Sequence, residues 1–189
     1  MSRVSYQLMQ QFPGECWEAI RFENTESLVP IFDTERPIRS TGDMLPWYTG
    51  KPCEPTQLSH INMCVFDSRW EASEAFELDP SPHVAAWVKN DHLGFEITYS
   101  FRGVIRKFRP DYLVRLANGT TLVLEVKGQD NQEQQTKREF LAEWVRAVNS
   151  QGGFGTWAAD VSHYPSDIHE ILARNSATVR EKALAEGIS

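Results

Sequence analysis

The sequence predicts an α/β protein built on a central mixed β-sheet, in the order helix, three antiparallel strands, helix, strand, with helices on both faces of the sheet. Three observations lead there. Two apolar β-type runs, 112–116 and 122–126, flank Asn118-Gly119, the strongest short hairpin signal because both residues accept the positive φ of a tight turn. Two stretches, 69–78 and 132–149, read as helices on opposite sides of those strands in the chain. A further β-type stretch, 156–161, follows the second helix, and a helix-linked return to a sheet edge makes the sheet mixed.

The 189 residues suffice for one domain with a full core, and 41% hydrophobic and 24% charged residues are ordinary for a globular protein. No run approaches a membrane span, and the N-terminus lacks the basic, apolar, small-residue pattern of a signal peptide, so a cytoplasmic protein is expected. Cys16, Cys53 and Cys64 are odd in number and widely spaced, which reads as reduced thiols rather than a disulfide frame or zinc site. A net charge of −7 argues against a free-standing, tight, non-specific DNA binder, but not against a nuclease whose acids hold metal. Locally the balance reverses. Arg102, Arg106, Lys107, Arg109 and Arg115 surround one acid, Asp111. That cluster is either a solvated strand edge or a phosphate contact.

Residues 1–60 form an irregular arm. Pro13, Pro30, Pro37, Pro46, Pro52 and Pro55 forbid long helices, with short strands expected at 16–22 and 28–32. Trp17, Phe22, Trp47 and Tyr48 imply that the arm packs on the core. Gly50-Lys51 is not a phosphate loop, since Leu45 stands where the first glycine is needed and Pro52 replaces the Ser or Thr. The core is expected at 61–175, with a helix or tail at 176–189. A short strand at 61–66 precedes the first helix, for which Asp67 or Ser68 serves as N-cap and Glu71 completes a capping box with Ser68. Glu71 also shares a stripe with Ala75 and Leu78, so it could face the sheet instead. Residues 84–89 read as a short strand or helical turn. Residues 93–101 read as the first meander strand, 105–116 as the second after a turn at Gly103, and 120–127 as the third. The second helix buries Phe140, Leu141, Trp144, Val145 and Val148, and Lys137 lies one turn before Leu141, where it could lean over the sheet. A last helix is expected from Tyr164 through Ala173.

The chemistry-bearing residues sit at one end of the hairpin. Asp111 opens its first strand, and Glu125 and Lys127 close its second on a shared face. A strand buried on both faces has no cheap place for an acid and a base. Either these residues form a structural ion pair, or the two acids hold a divalent metal with Lys127 beside it.

Pro110-Asp111 followed by Glu125-Val126-Lys127 in this strand order resembles the PD-(D/E)xK nuclease superfamily. A closer resemblance spans about residues 28–173. It is carried by Ser59-His60-Ile61-Asn62, Asp67-Ser68-Arg69-Trp70-Glu71, Trp87-Val88-Lys89-Asn90, Leu93-Gly94-Phe95, Arg109-Pro110-Asp111, Glu125-Val126-Lys127-Gly128, Trp144-Val145 with Ala147-Val148-Asn149, and Gly153-Phe154-Gly155 with Trp157. These look like the C-terminal endonuclease region of type III-like, helicase-linked restriction endonuclease subunits, in which a helicase motor normally precedes the nuclease. The resemblance implies a restriction-endonuclease-like core and a Mg²⁺-dependent DNA endonuclease, Mn²⁺ being a substitute metal. Its partners would be DNA and a helicase or modification subunit, with a homodimer allowed. Asp111 and Glu125 would bind the metal with the Val126 carbonyl. Lys127 would position or activate the attacking water, and Glu71 would support a second metal or orient water. Lys137, Arg109 and Lys107 would touch DNA. The competing reading is a catalytically silent nucleic-acid-binding or assembly module on the same fold.

Overall fold

The computed structural model describes residues 41–66, 69–126 and 131–177; within these, the side chains of residues 43, 69–71 and 74 fall outside the description. The strands expected at 16–22 and 28–32, and the tail after 177, lie outside the described residues. The elements in chain order are β1 (Cys53–Pro55), β2 (Met63–Val65), α1 (Arg69–Leu78), β3 (Val84–Lys89), β4 (Ile97–Phe101), β5 (Val104–Phe108), β6 (Tyr112–Leu116), β7 (Thr121–Val126), α2 (Gln132–Gln151), β8 (Trp157–Ser162) and α3 (Asp167–Ser176).

The central sheet has the order β3-β6-β7-β8, antiparallel across its first two pairs and parallel between β7 and β8. It is therefore a mixed α/β sheet, with α2 as the crossover that a parallel pair requires. The order helix, three antiparallel strands, helix, strand is present, but its first strand is β3. The stretch expected to lead the meander, 93–101, instead pairs with β5 in a separate two-stranded ribbon. It also starts later than expected, at Ile97, because His92 (φ 62°) and Gly94 (φ 72°) turn the chain before it. The single strand expected over 105–116 is two strands, β5 and β6, broken at Arg109-Pro110-Asp111. Pro110 has no N–H for a ladder, so the chain leaves the ribbon there and enters the sheet.

Alternation along β6 and β7 feeds two cores. Tyr112, Val114, Leu116, Leu122 and Leu124 join Trp87 on one face, against Ala75 and Leu78 of α1 and Ile168, Ile171 and Leu172 of α3. Leu113 and Val123 on the other face meet Phe140 and Leu141 of α2 and Ile97, Tyr99 and Phe108 of the ribbon. Phe95, Trp144 and Trp157 extend this second core through ring contacts at 5.1–6.2 Å between centroids. Helices thus cover both faces, and the ribbon shares one of them with α2. Each fully buried leucine in these layers contributes about 1.5–3 kcal/mol of transfer free energy.

The Asn118-Gly119 hairpin forms, with a different turn from the one expected. Only Gly119 has positive φ (87°). Gly119 N donates to Leu116 O, and Leu116 N donates to Thr120 O, which makes a three-residue loop with glycine in the left-handed position. Asn118 keeps an ordinary φ because its side chain is employed elsewhere. Its Oδ1 accepts from Thr120 N, and its Nδ2 donates to the Asn175 and Ser176 carbonyls at the end of α3. The two-residue turn with positive φ at both positions lies between β4 and β5, at Arg102 (φ 51°) and Gly103 (φ 74°).

The described part of the N-terminal arm is tied to the core. β1 pairs with β2, and Trp47 stacks on His92 at 4.5 Å, whereas Tyr48 is fully exposed. Asp79, just past α1, accepts hydrogen bonds from Gln57 N, Leu58 N and Trp87 Nε1. Burial alone would raise its pKa; these three donors outweigh burial and hold the carboxyl below its usual range. Among the described residues no helix is long and apolar enough to cross a membrane.

Candidate metal centre

Two of the expected acids meet at one end of the central sheet. Tyr112 pairs with Leu124, so Asp111 and Glu125 stand one step further along the same register, opposite each other on adjacent strands. Glu125 alternates with Leu124 and so shares the face of Val123, which α2 and the ribbon cover. Glu125 is 3% exposed and Asp111 is half-buried. The Asp111 carboxylate is fixed by its Oδ2, which accepts the backbone N–H of Val126 at 2.7 Å. That bond ties the first acid to the residue beside the second, and it aligns the Asp111 side chain with the end of β7.

The backbone of the Pro110-Asp111 segment is held from β3. Asn90 N donates to Asp111 O at 2.8 Å, while Asn90 Nδ2 bridges the carbonyls of Phe95 and Pro110. One amide thus fixes three things at once: the end of β3, the approach to the ribbon, and the segment carrying Asp111. This clamp was not legible in the sequence. An Asn after a strand reads as a turn former, and its partners are 5 and 20 residues away.

Glu71 and Lys127 lie beyond what the description reaches, Glu71 by its side chain and Lys127 altogether. Lys89 Nζ donates to Val65 O at 2.8 Å, and Lys89 pairs with Tyr112, so the end of β2 lies at the same end of the sheet as Asp111. The body of α1 packs on the face opposite to the one Glu125 shares with Val123. Lys127 directly follows Val126 at the end of β7. Among the described residues no group of three or more His, Cys, Asp or Glu side chains converges as a metal site.

The candidate DNA-contacting cations all have anionic neighbours. Lys107 Nζ lies 2.9 Å from Glu96 Oε2, and Arg109 donates through Nε and Nη2 to Glu96 Oε1. Lys137 is largely covered; its Nζ lies 3.9 Å from Glu133 and over the Tyr99 ring. Glu133 in turn accepts from the Tyr99 hydroxyl and from Arg106. The Tyr99 hydrogen bond, followed by Arg106, holds the Glu133 carboxyl below its ordinary value, while burial and then Glu133 raise the Tyr99 phenol. Arg115 donates to Gly119 O and serves the β6–β7 turn. Sequence reading missed Glu96, Tyr99 and Glu133 as organisers of these cations; strand alternation alone could have put Glu96 with Arg109, had the ribbon's register been known.

No protein-family model matches the chain, and neither a curated protein nor a solved structure matches it.

Proposed function

We propose that the chain is a metal-dependent deoxyribonuclease of the PD-(D/E)xK kind on a restriction-endonuclease-like core, acting in the cytoplasm as part of a restriction or defence system with a helicase partner. The observation that carries this reading is the register that opposes Asp111 and Glu125, with the Asp111 carboxylate fixed on the Val126 amide. Two carboxylates brought to one end of adjacent strands, one of them nearly buried, are a donor pair suited to a divalent cation.

The donor set fits a hard divalent cation. Two carboxylates and the Val126 carbonyl are oxygen ligands, as Mg²⁺ or Mn²⁺ prefers. Bound there, the ion would lower the pKa of water and offset charge on a phosphodiester. The chain's own residues have separate tasks. The Val126 N–H keeps the Asp111 carboxylate in one rotamer. Asn90 holds the Pro110-Asp111 backbone against β3. Lys127 orients the attacking water and pairs with the scissile phosphate. Glu71 of α1 is, by the resemblance, the further acid that orients water or supports a second ion.

Incubating the full chain with supercoiled plasmid and Mg²⁺ or Mn²⁺ tests the reading. The expected result is nicked or linear DNA from the wild type and none from Asp111→Asn or Lys127→Ala. Equal cutting by all three removes this mechanism. A wild type that binds DNA but never cuts, with either metal, supports the silent module instead.

A further inference from the structure

The β4–β5 ribbon stands outside the central sheet and has two unlike faces. Its register pairs Tyr99 with Arg106 and Ile97 with Phe108 on the inner side, which packs toward α2. The outer side carries Thr98 opposite Lys107 and Ser100 opposite Ile105, and one step further it carries Glu96 opposite Arg109. Thr98, Lys107 and Arg109 are exposed. Residues 97–109 contain four cations and no acid, in a chain of net charge −7. Among the described residues, the acid bonded to this outer face's cations is Glu96, whose two oxygens divide between Lys107 and Arg109. Two cations converging on one carboxylate form a site for a single anion, with Glu96 as its resident.

We propose that this outer face is a docking surface for the sugar-phosphate backbone of duplex DNA, and that Glu96 is an internal phosphate mimic which the backbone displaces. The choice of partner rests on the nuclease reading. Three features fit a phosphate chain. The ribbon is two antiparallel strands, a shape that a nucleic-acid groove accepts. The outer face offers cations and hydroxyls but no side-chain amide to read base edges, so it contacts backbone without selecting sequence. Arg109 is two residues before Asp111, at most about 7 Å along the chain, so a phosphate held by Lys107 and Arg109 is a close neighbour of one lying over the Asp111–Glu125 pair. The ribbon is also braced against the start of α2 by the bonds from Tyr99 and Arg106 to Glu133, which fixes the docking face relative to the acids.

The resident carboxylate gives the surface a distinctive behaviour. Each cation that meets a phosphate releases condensed counterions and adds about 0.9 to the slope of log K against log salt. Glu96 keeps one unit of that charge in reserve. Its removal therefore strengthens binding, which an acid that only props up the ribbon would not do.

The test is anisotropy titration of the full chain with a duplex of about 20 base pairs in EDTA, at several salt concentrations between about 50 and 200 mM. Lys107→Ala and Arg109→Ala should each weaken binding several-fold and reduce the salt slope by about 0.9. Glu96→Gln should tighten binding several-fold and steepen the slope, and duplexes of unrelated sequence should behave alike. Glu170→Gln, which removes the same charge from α3 on the opposite face of the sheet, should change neither. The proposal is overturned if Glu170→Gln matches Glu96→Gln, if the two cation variants bind as the wild type does, or if anionic vesicles are bound as tightly as duplex. Because no divalent metal is present, these results are separate from cleavage. Loss of the docking surface leaves the nuclease reading intact, and an inert nuclease leaves the docking result standing.

Discussion

At the scale of single residues, Asp111 has two tasks that substitution can separate. It is a proposed metal ligand, and it accepts the Val126 N–H. Asp111→Ala removes the acceptor and leaves that amide without it, at a cost of about 1–3 kcal/mol. Asp111→Asn retains an acceptor oxygen for that amide and should melt above Asp111→Ala. Both should lose cleavage by at least about a hundredfold, since even residues behind a metal's ligands are worth about 10–100-fold. Thermal melts beside plasmid assays read the two tasks independently. Asp79 offers a test of stability alone. Its folded pKa lies below its ordinary 3.8, so its contribution is fully present above about pH 4 and is lost as pH falls through the depressed value. Asp79→Asn should cost on the order of 2–3 kcal/mol at pH 7, and the deficit relative to wild type should shrink below pH 4. A deficit that stays constant to pH 3 contradicts this account of the Gln57, Leu58 and Trp87 contacts.

At the scale of elements, legibility in the sequence followed the range of the interaction. α1 and β8 fall within a residue of the expected stretches, and α2 runs two residues past its expected end, because apolar periodicity is local. The ribbon was misread because pairing is not local. The same alternating pattern serves a strand in the central sheet and a strand in a separate hairpin, and only the break at Pro110 distinguishes them. The β6–β7 turn shows the same limit. Asn-Gly announced a hairpin, but Asn118's contact with the end of α3, 57 and 58 residues away, selected a three-residue loop. Two substitutions check this picture by chemical denaturation. Asn118→Ala should cost about 1 kcal/mol through the lost bonds to the α3 carbonyls. Gly119→Ala should cost about 1 kcal/mol or more, because a φ of 87° strains any residue with a Cβ even though open space surrounds the position. Within α2, Leu141→Ala should cost about 2–5 kcal/mol, as it empties a site that is 2% exposed against Val123 and the ribbon.

At the scale of the whole molecule, the fold brings acids from two adjacent strands to one end of one sheet: Asp111 directly precedes β6, and β7 ends on Glu125 and Val126. The two acids could be read from the sequence because each lies at the edge of an apolar strand, where a carboxylate is out of place. Their opposition could not be read with certainty, since it depends on the loop that sets the register. A site of this kind couples ligand to stability. Mg²⁺ at a hundred times its dissociation constant should stabilise the fold by about 2.7 kcal/mol, visible as a rise in melting temperature that EDTA reverses. The most direct test of the central claim is calorimetric titration of Mn²⁺ into the wild-type chain and into Asp111→Asn and Glu125→Gln. The wild type should bind Mn²⁺ saturably, and both variants should lose that binding. A wild type that takes up no Mn²⁺, or variants that bind it equally well, would contradict it.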